Sequence, residues 1–248
     1  MSEERIQKIG IQRELDLRWM DFAQRLHKIG VARGECREQI YDYLNAAPGF
    51  EAVPTHQTKI YVANLLVKTW LFPEPAVLPL RDAAELFGDR DAEIRMACNW
   101  GLICAAYPFW FAVAKVVGRL LFLQDMISQS QIFSRLAEQY GDRQTVTRRA
   151  RYVIRSFVRW GVLNDTKAPG TYRRGDVFRF DQPKIHGYLI EAILRSGADE
   201  KIEFGQLCSS PSLFPFSLEN CAAEKVLAAN ERITAERYAF NDLLVSLK

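Results

Sequence analysis

Residues 128–165 read SQSQIFSRLAEQYGDRQTVTRRARYVIRSFVRWGVLND, and residues 171–181 read TYRRGDVFRFD after a Pro/Gly turn. Ser128 or Ser130 can cap a helix running from Gln131 to Tyr140, with Ile132, Phe133 and Leu136 facing inward. Gly141 ends it, as the residue that tolerates backbone conformations closed to others. Asp142 or Thr145 is expected to cap a second helix that ends at Trp160-Gly161. At 100° per residue Val146, Ala150, Val153, Ile154 and Phe157 fall within about 100° of arc, the stripe of a core-facing helix. Gln144, Arg148, Arg151, Arg155 and Arg159 fall on the opposite side. Val162 and Leu163 start a strand and APGT turns the chain. Val177, Phe178 and Phe180, alternating around Arg179, form the expected return strand.

Helix, turn, helix and hairpin in this order resemble a winged helix-turn-helix, assigned here to residues 126–182. In that arrangement the second helix enters a groove of duplex DNA and the wing flanks it. Gln144, Thr147 and Arg148 lie at the helix start and are candidates for base readout. Arg151, Arg155, Arg159, Arg173 and Arg174 read as phosphate contacts, and Arg143 and Lys167 complete the nucleic-acid-binding set. From Ser128 to Gln182 eleven Lys/Arg stand against five Asp/Glu, so this segment is basic. The whole chain is only +3, which leaves the remainder mildly acidic. The same arginine face also suits contact with a protein, or plain solvation.

The flanking sequence is organised as helices. Leu15, Trp19, Phe22, Ala23, Leu26 and Ile29 predict one helix stopping near Gly30, and a second runs from about Glu35 to an AAPG stop at 46–49. Thr55 is placed to cap a third that ends before Pro73, and PEPAVLP (73–79) reads as a rigid connector. Leu80 to Phe87, closed by Gly88, and Ala92 to Ala106 predict two more helices. Asp89, Asp91 and Glu93 fit a solvated helix start better than a metal site. Beyond Pro183 the pattern predicts a helix from Lys184 to Ser196, a loop at SSPSLFPF (209–216), a helix over Cys221 to Ala229 and strands between Arg232 and Leu247.

Residues 97–114, ACNWGLICAAYPFWFAVA, carry no charge, at the lower length limit for a membrane-spanning helix. Pro108 breaks such a helix, Asn99 is polar, and Lys115 and Arg119 interrupt the apolar continuation. A Pro-split pair of core helices is therefore expected, with no membrane partner. Tyr107, Phe109, Trp110 and Phe111 read as core rather than a base-stacking platform. Cys36, Cys98, Cys104, Cys208 and Cys221 are scattered, without metal spacing, as reduced thiols of a cytoplasmic protein are. His27, His56 and His186 have no Ser, Cys or carboxylate at motif spacing, and no glycine-rich phosphate loop occurs. No catalytic residue, metal or cofactor is expected.

The segment from about Met96 to Asn164, through CNWGLICAAYPF, VVGRLL and VRWGVL, resembles the BrxA-type proteins of bacterial BREX phage-defence systems. That resemblance implies a helical protein with helix-turn-helix parts, DNA binding, and a setting among other defence subunits. The expectation is thus a mainly α chain: an N-terminal helical bundle over 1–125, a winged helix-turn-helix over 126–182, and a small α+β extension over 183–248. It is read as a non-enzymatic duplex-DNA binder with other protein subunits as partners, oligomerisation being left open. A protein-protein adaptor is the alternative.

Overall fold

A computed structural model describes residues 9–46, 54–87, 91–237 and 242–248. The chain is mainly helical with small sheets. Helix α1 (Leu17–Lys28) starts where the Asp16 carboxylate accepts the Arg18 N–H, and it buries Trp19, Met20, Ala23 and Leu26. α2 (Cys36–Asn45) ends with Ala46 as its C-cap; the Pro48-Gly49 stop lies outside the described residues. Thr55 caps α3 (His56–Leu66) by accepting from the Thr58 N–H, as expected. α3 continues into a π turn over Val67–Leu71, where the Thr69 hydroxyl donates to the Leu65 carbonyl. The connector after Pro73 is shorter than the sequence suggested. Leu78 and Pro79 already belong to α4 (Leu78–Phe87), because the first turn of a helix needs no donor from proline. Gly88 and Asp89 lie outside the described residues, and Asp91 caps the next helix by accepting from the Glu93 N–H.

α5 (Ala92–Ala106) and α6 (Pro108–Leu123) meet at a bend of 117°. Pro108 occupies the first turn of α6, so it separates two helices rather than kinking one. Every residue from 96 to 114 is buried. Among the described residues no single helix is long and apolar enough to cross a membrane, and only this bent pair has the length and composition together. Asn99 is satisfied in the interior: its side-chain oxygen accepts from Trp70 Nε1 at 2.8 Å and its amide donates to Asp21 at 3.2 Å.

β1 (Met126–Ser128) follows, a strand too short to show an alternating pattern. Ser128 caps α7 (Gln129–Tyr140) in a capping box with Gln131. Gly141 takes φ 79° and ψ 154°, a region essentially reserved for glycine. α8 (Gln144–Arg159) then begins without the expected side-chain cap: Arg143, not Asp142 or Thr145, is the N-cap residue. β2 (Leu163–Asp165) and β3 (Thr171–Arg174) form the hairpin around the Ala168–Thr171 turn, and the antiparallel sheet has the order β1-β3-β2. Tyr172 stands opposite both Ile127 and Asp165.

The return strand is therefore β3, not residues 177–180. At Gly175 the chain leaves the hairpin: its N–H donates to the Val162 carbonyl, and a Cβ there would lie 2.0 Å from the Gly161 oxygen. β4 (Phe178–Phe180) pairs instead in parallel with β6 (Phe216–Leu218), which occupies part of the stretch read as loop; Pro211–Leu213 makes a 3-10 turn there. α9 (Pro183–Ser196) packs on α5. β5 (Lys201–Glu203) leads to α10 (Phe204–Cys208), and α11 (Ala223–Ala229) precedes β7 (Ile233–Arg237) and β8 (Leu243–Leu247). The last sheet is antiparallel, in the order β5-β8-β7.

One core joins these parts. Trp100 on α5 meets Trp110 of α6, Phe157 of α8, Trp160, Phe214 and Phe216 at ring-centroid distances of 5.1–6.1 Å. Its indole N–H donates to the Ser212 carbonyl. Ahead of α1, a strap from Ile11 to Asp16 lies along α8. Its Leu15 N–H donates to the Ser156 hydroxyl at 2.8 Å, and Trp160 Nε1 donates to the Leu15 carbonyl at 2.9 Å.

Candidate nucleic-acid interface

The register of α8 separates its two faces as the sequence predicted. Val146, Ala150, Val153, Ile154 and Phe157 are buried, and Ser156 joins them because the strap covers that flank. The outward residues are not equivalent.

Arg143 folds back, its Nε and Nη2 donating to the Tyr140 carbonyl at 3.1 and 2.7 Å. It thereby satisfies the C-terminal end of α7 while starting α8. Gln144 and Arg148 are exposed at the helix start and Thr147 is half-buried beside them. Arg148 forms no ion pair or hydrogen bond among the described residues. Arg151 lies over the Phe133 ring at 5.5 Å to its centroid, a contact that leaves the charge facing outward.

Further along, the ladder is neutralised from within. Arg155 Nη1 bonds both carboxylate oxygens of Asp165 at 2.9 Å, which joins α8 to β2. That hydrogen bond, helped by the carboxylate charge and opposed by burial, pushes the Arg155 pKa up. Arg159 is 3.0 Å from Glu14 and 3.8 Å from Asp16, both on the strap. On the hairpin Lys167 is exposed in the turn, and Arg173, opposite Met126 and Asn164, projects without a partner among the described residues. Arg174 donates to the Phe214 carbonyl at 3.1 Å.

The ten candidate residues thus divide by partner. Gln144, Thr147, Arg148, Arg151, Lys167 and Arg173 are available; Arg143, Arg155, Arg159 and Arg174 already serve internal acceptors. Glu14 and Asp16 carry no local signal for this role, since they lie about 145 positions from Arg159. Asp165 reaches Arg155 only because β2 lies beside α8. Arg149, outside the predicted set, donates to the Gln12 carbonyl, and burial lowers its pKa with Arg148 adding to the effect.

The remaining chemistry is sparse. His186 Nε2 donates to the Phe180 carbonyl at 2.7 Å inside the fold, and His27 lies 3.3 Å from Glu85. Among the described residues no three His, Cys, Asp or Glu side chains gather as a metal site. The cysteines are less scattered than their spacing suggests, for Cys208 and Cys221 stand 3.2 Å apart, sulfur to sulfur. Compared with known proteins, the chain matches no family model, no curated protein and no solved structure.

Proposed function

We propose that the chain is a cytoplasmic, non-catalytic protein that binds duplex DNA through a winged helix, with α8 in the major groove and the β2–β3 hairpin as the wing. One observation carries the reading. The first half of α8 and the hairpin beside it present Arg148, Arg151, Lys167 and Arg173 outward, uncancelled by any described acid. A cationic strip at a helix start suits a groove lined by phosphates. Gln144, Thr147 and Arg148 meet base edges, while Arg151, Lys167 and Arg173 meet phosphates. The resemblance of residues 96–164 to BrxA-type proteins supports a place as a subunit of a multi-gene bacterial defence system. An adaptor role is the second reading, favoured by Phe122, Leu123 and Met126, which are exposed together where α6 passes into β1.

Binding to labelled duplex at several salt concentrations tests the proposal. Three phosphate contacts give a log–log slope of about −3. Arg151→Ala flattens it by about one unit on every sequence, and Arg148→Ala costs about 1–3 kcal/mol of discrimination between sites. Arg155→Ala changes the slope less, because Asp165 already holds that guanidinium. Absence of duplex binding at low salt overturns the reading and favours the adaptor.

A further inference from the structure

On the far end of α7 from its cap lies a cavity of about 340 Å³, walled by α6, Tyr140, the end of α9 and the segment through residues 197–211. Lys115 and Arg119 stand one helical turn apart on α6 and both line it. They belong to none of the nucleic-acid elements, so this cavity stands apart from the DNA reading. Neither has an ion pair or hydrogen bond among the described residues.

Lys115 is half-buried, and burial holds its ammonium below the usual lysine range, with the Arg119 charge pushing the same way. Asp199 also lines the cavity and favours the charged amine, but it forms no ion pair with either cation among the described residues. A partly desolvated cation beside a second one is costly unless an anion completes the group. The rest of the wall is suited to an organic body: Phe111, Val116, Ile193 and Leu207 supply apolar surface. The volume is near the lower end of small-molecule sites.

We propose that this cavity binds a small organic anion, with its carboxylate or phosphate between Lys115 and Arg119 and a compact apolar body against Phe111 and Leu207. The carboxylate and phosphate classes share the charge recognition and are separated by experiment.

The test is calorimetric titration of the full chain, at fixed ionic strength, with benzoate, phenyl phosphate, inorganic phosphate and neutral benzyl alcohol. The expected result is one saturable site for benzoate or phenyl phosphate, with inorganic phosphate and benzyl alcohol each weaker by about tenfold or more. The tighter of the two anions names the class. Lys115→Met is expected to weaken the preferred anion by about tenfold and leave benzyl alcohol unchanged. Lys115→Arg and Arg119→Gln, checked for native circular dichroism, carry the same test if that variant fails to fold: the first retains binding and the second weakens it. No saturable anion binding up to tens of millimolar overturns the proposal. So does equal affinity for the neutral alcohol, or an anion affinity indifferent to both cations.

Discussion

Glu191 places a carboxylate on α9 with none of its side chain exposed. Burial alone would push its pKa up. Hydrogen bonds from Arg232 and Asn230, with the charge of Arg195, outweigh burial and hold it below the ordinary value. A carboxylate depressed in this way stabilises the fold above the unfolded carboxylate pKa, and that contribution is lost as pH falls through the folded one. Glu191→Gln is expected to cost about 3 kcal/mol at neutral pH, toward the lower end for a broken buried ion pair because Arg232 can turn to water. The variant should also show a shallower loss of stability between about pH 5 and the acid limit. Urea unfolding at several pH values measures both; parallel curves for the two proteins would show that Glu191 does not control the acid side. Only half of this group is legible in the sequence: Arg195 follows Glu191 by four positions on α9, whereas Asn230 and Arg232 come from the turn after α11 and reach it only through the fold.

At the scale of elements, α6 and the Pro211–Leu213 turn approach so closely that Gly118 cannot carry a side chain. A Cβ there would lie 1.8 Å from the Pro211 carbonyl oxygen, a backbone atom with little room to give. Gly118→Ala is expected to destabilise the chain by about 2–3 kcal/mol in spite of alanine's higher helix propensity, since the turn must move off α6. Thermal unfolding reads this directly, and a raised melting temperature would contradict the packing. Elements set by local signals were legible: the α8 stripe from its 3.6-residue period, α7 from Ser128 and Gly141, α3 from Thr55. Elements set by pairing were not. Val177 to Phe180 alternate as any strand does, and alternation does not say whether the partner is β2 or β6. The candidate site was legible as a basic face. Its division into free and neutralised arginines was not, because Glu14, Asp16 and Asp165 reach α8 only through tertiary structure.

Across the whole molecule, Trp100 contacts aromatic rings from α6, α8 and the segment 214–216, so no region has a core of its own at that point. Tryptophan fluorescence and far-ultraviolet circular dichroism are therefore expected to report one coincident unfolding transition. Leu15→Ala is expected to lower stability by about 2–5 kcal/mol without splitting that transition. Two separated transitions in either protein would mean that the helices before residue 126 fold independently of α8. The strap also has a temporal consequence. Leu15 closes contacts with Ser156 and Trp160 across 141 and 145 positions. At roughly 5–20 residues per second of synthesis, Leu15 waits about 7–29 s before those partners have been made. Through that interval the Leu15 backbone groups are open to water, chaperones or neighbouring nascent chains, and the docking of α8 that ends the wait belongs among the late, slow steps of folding.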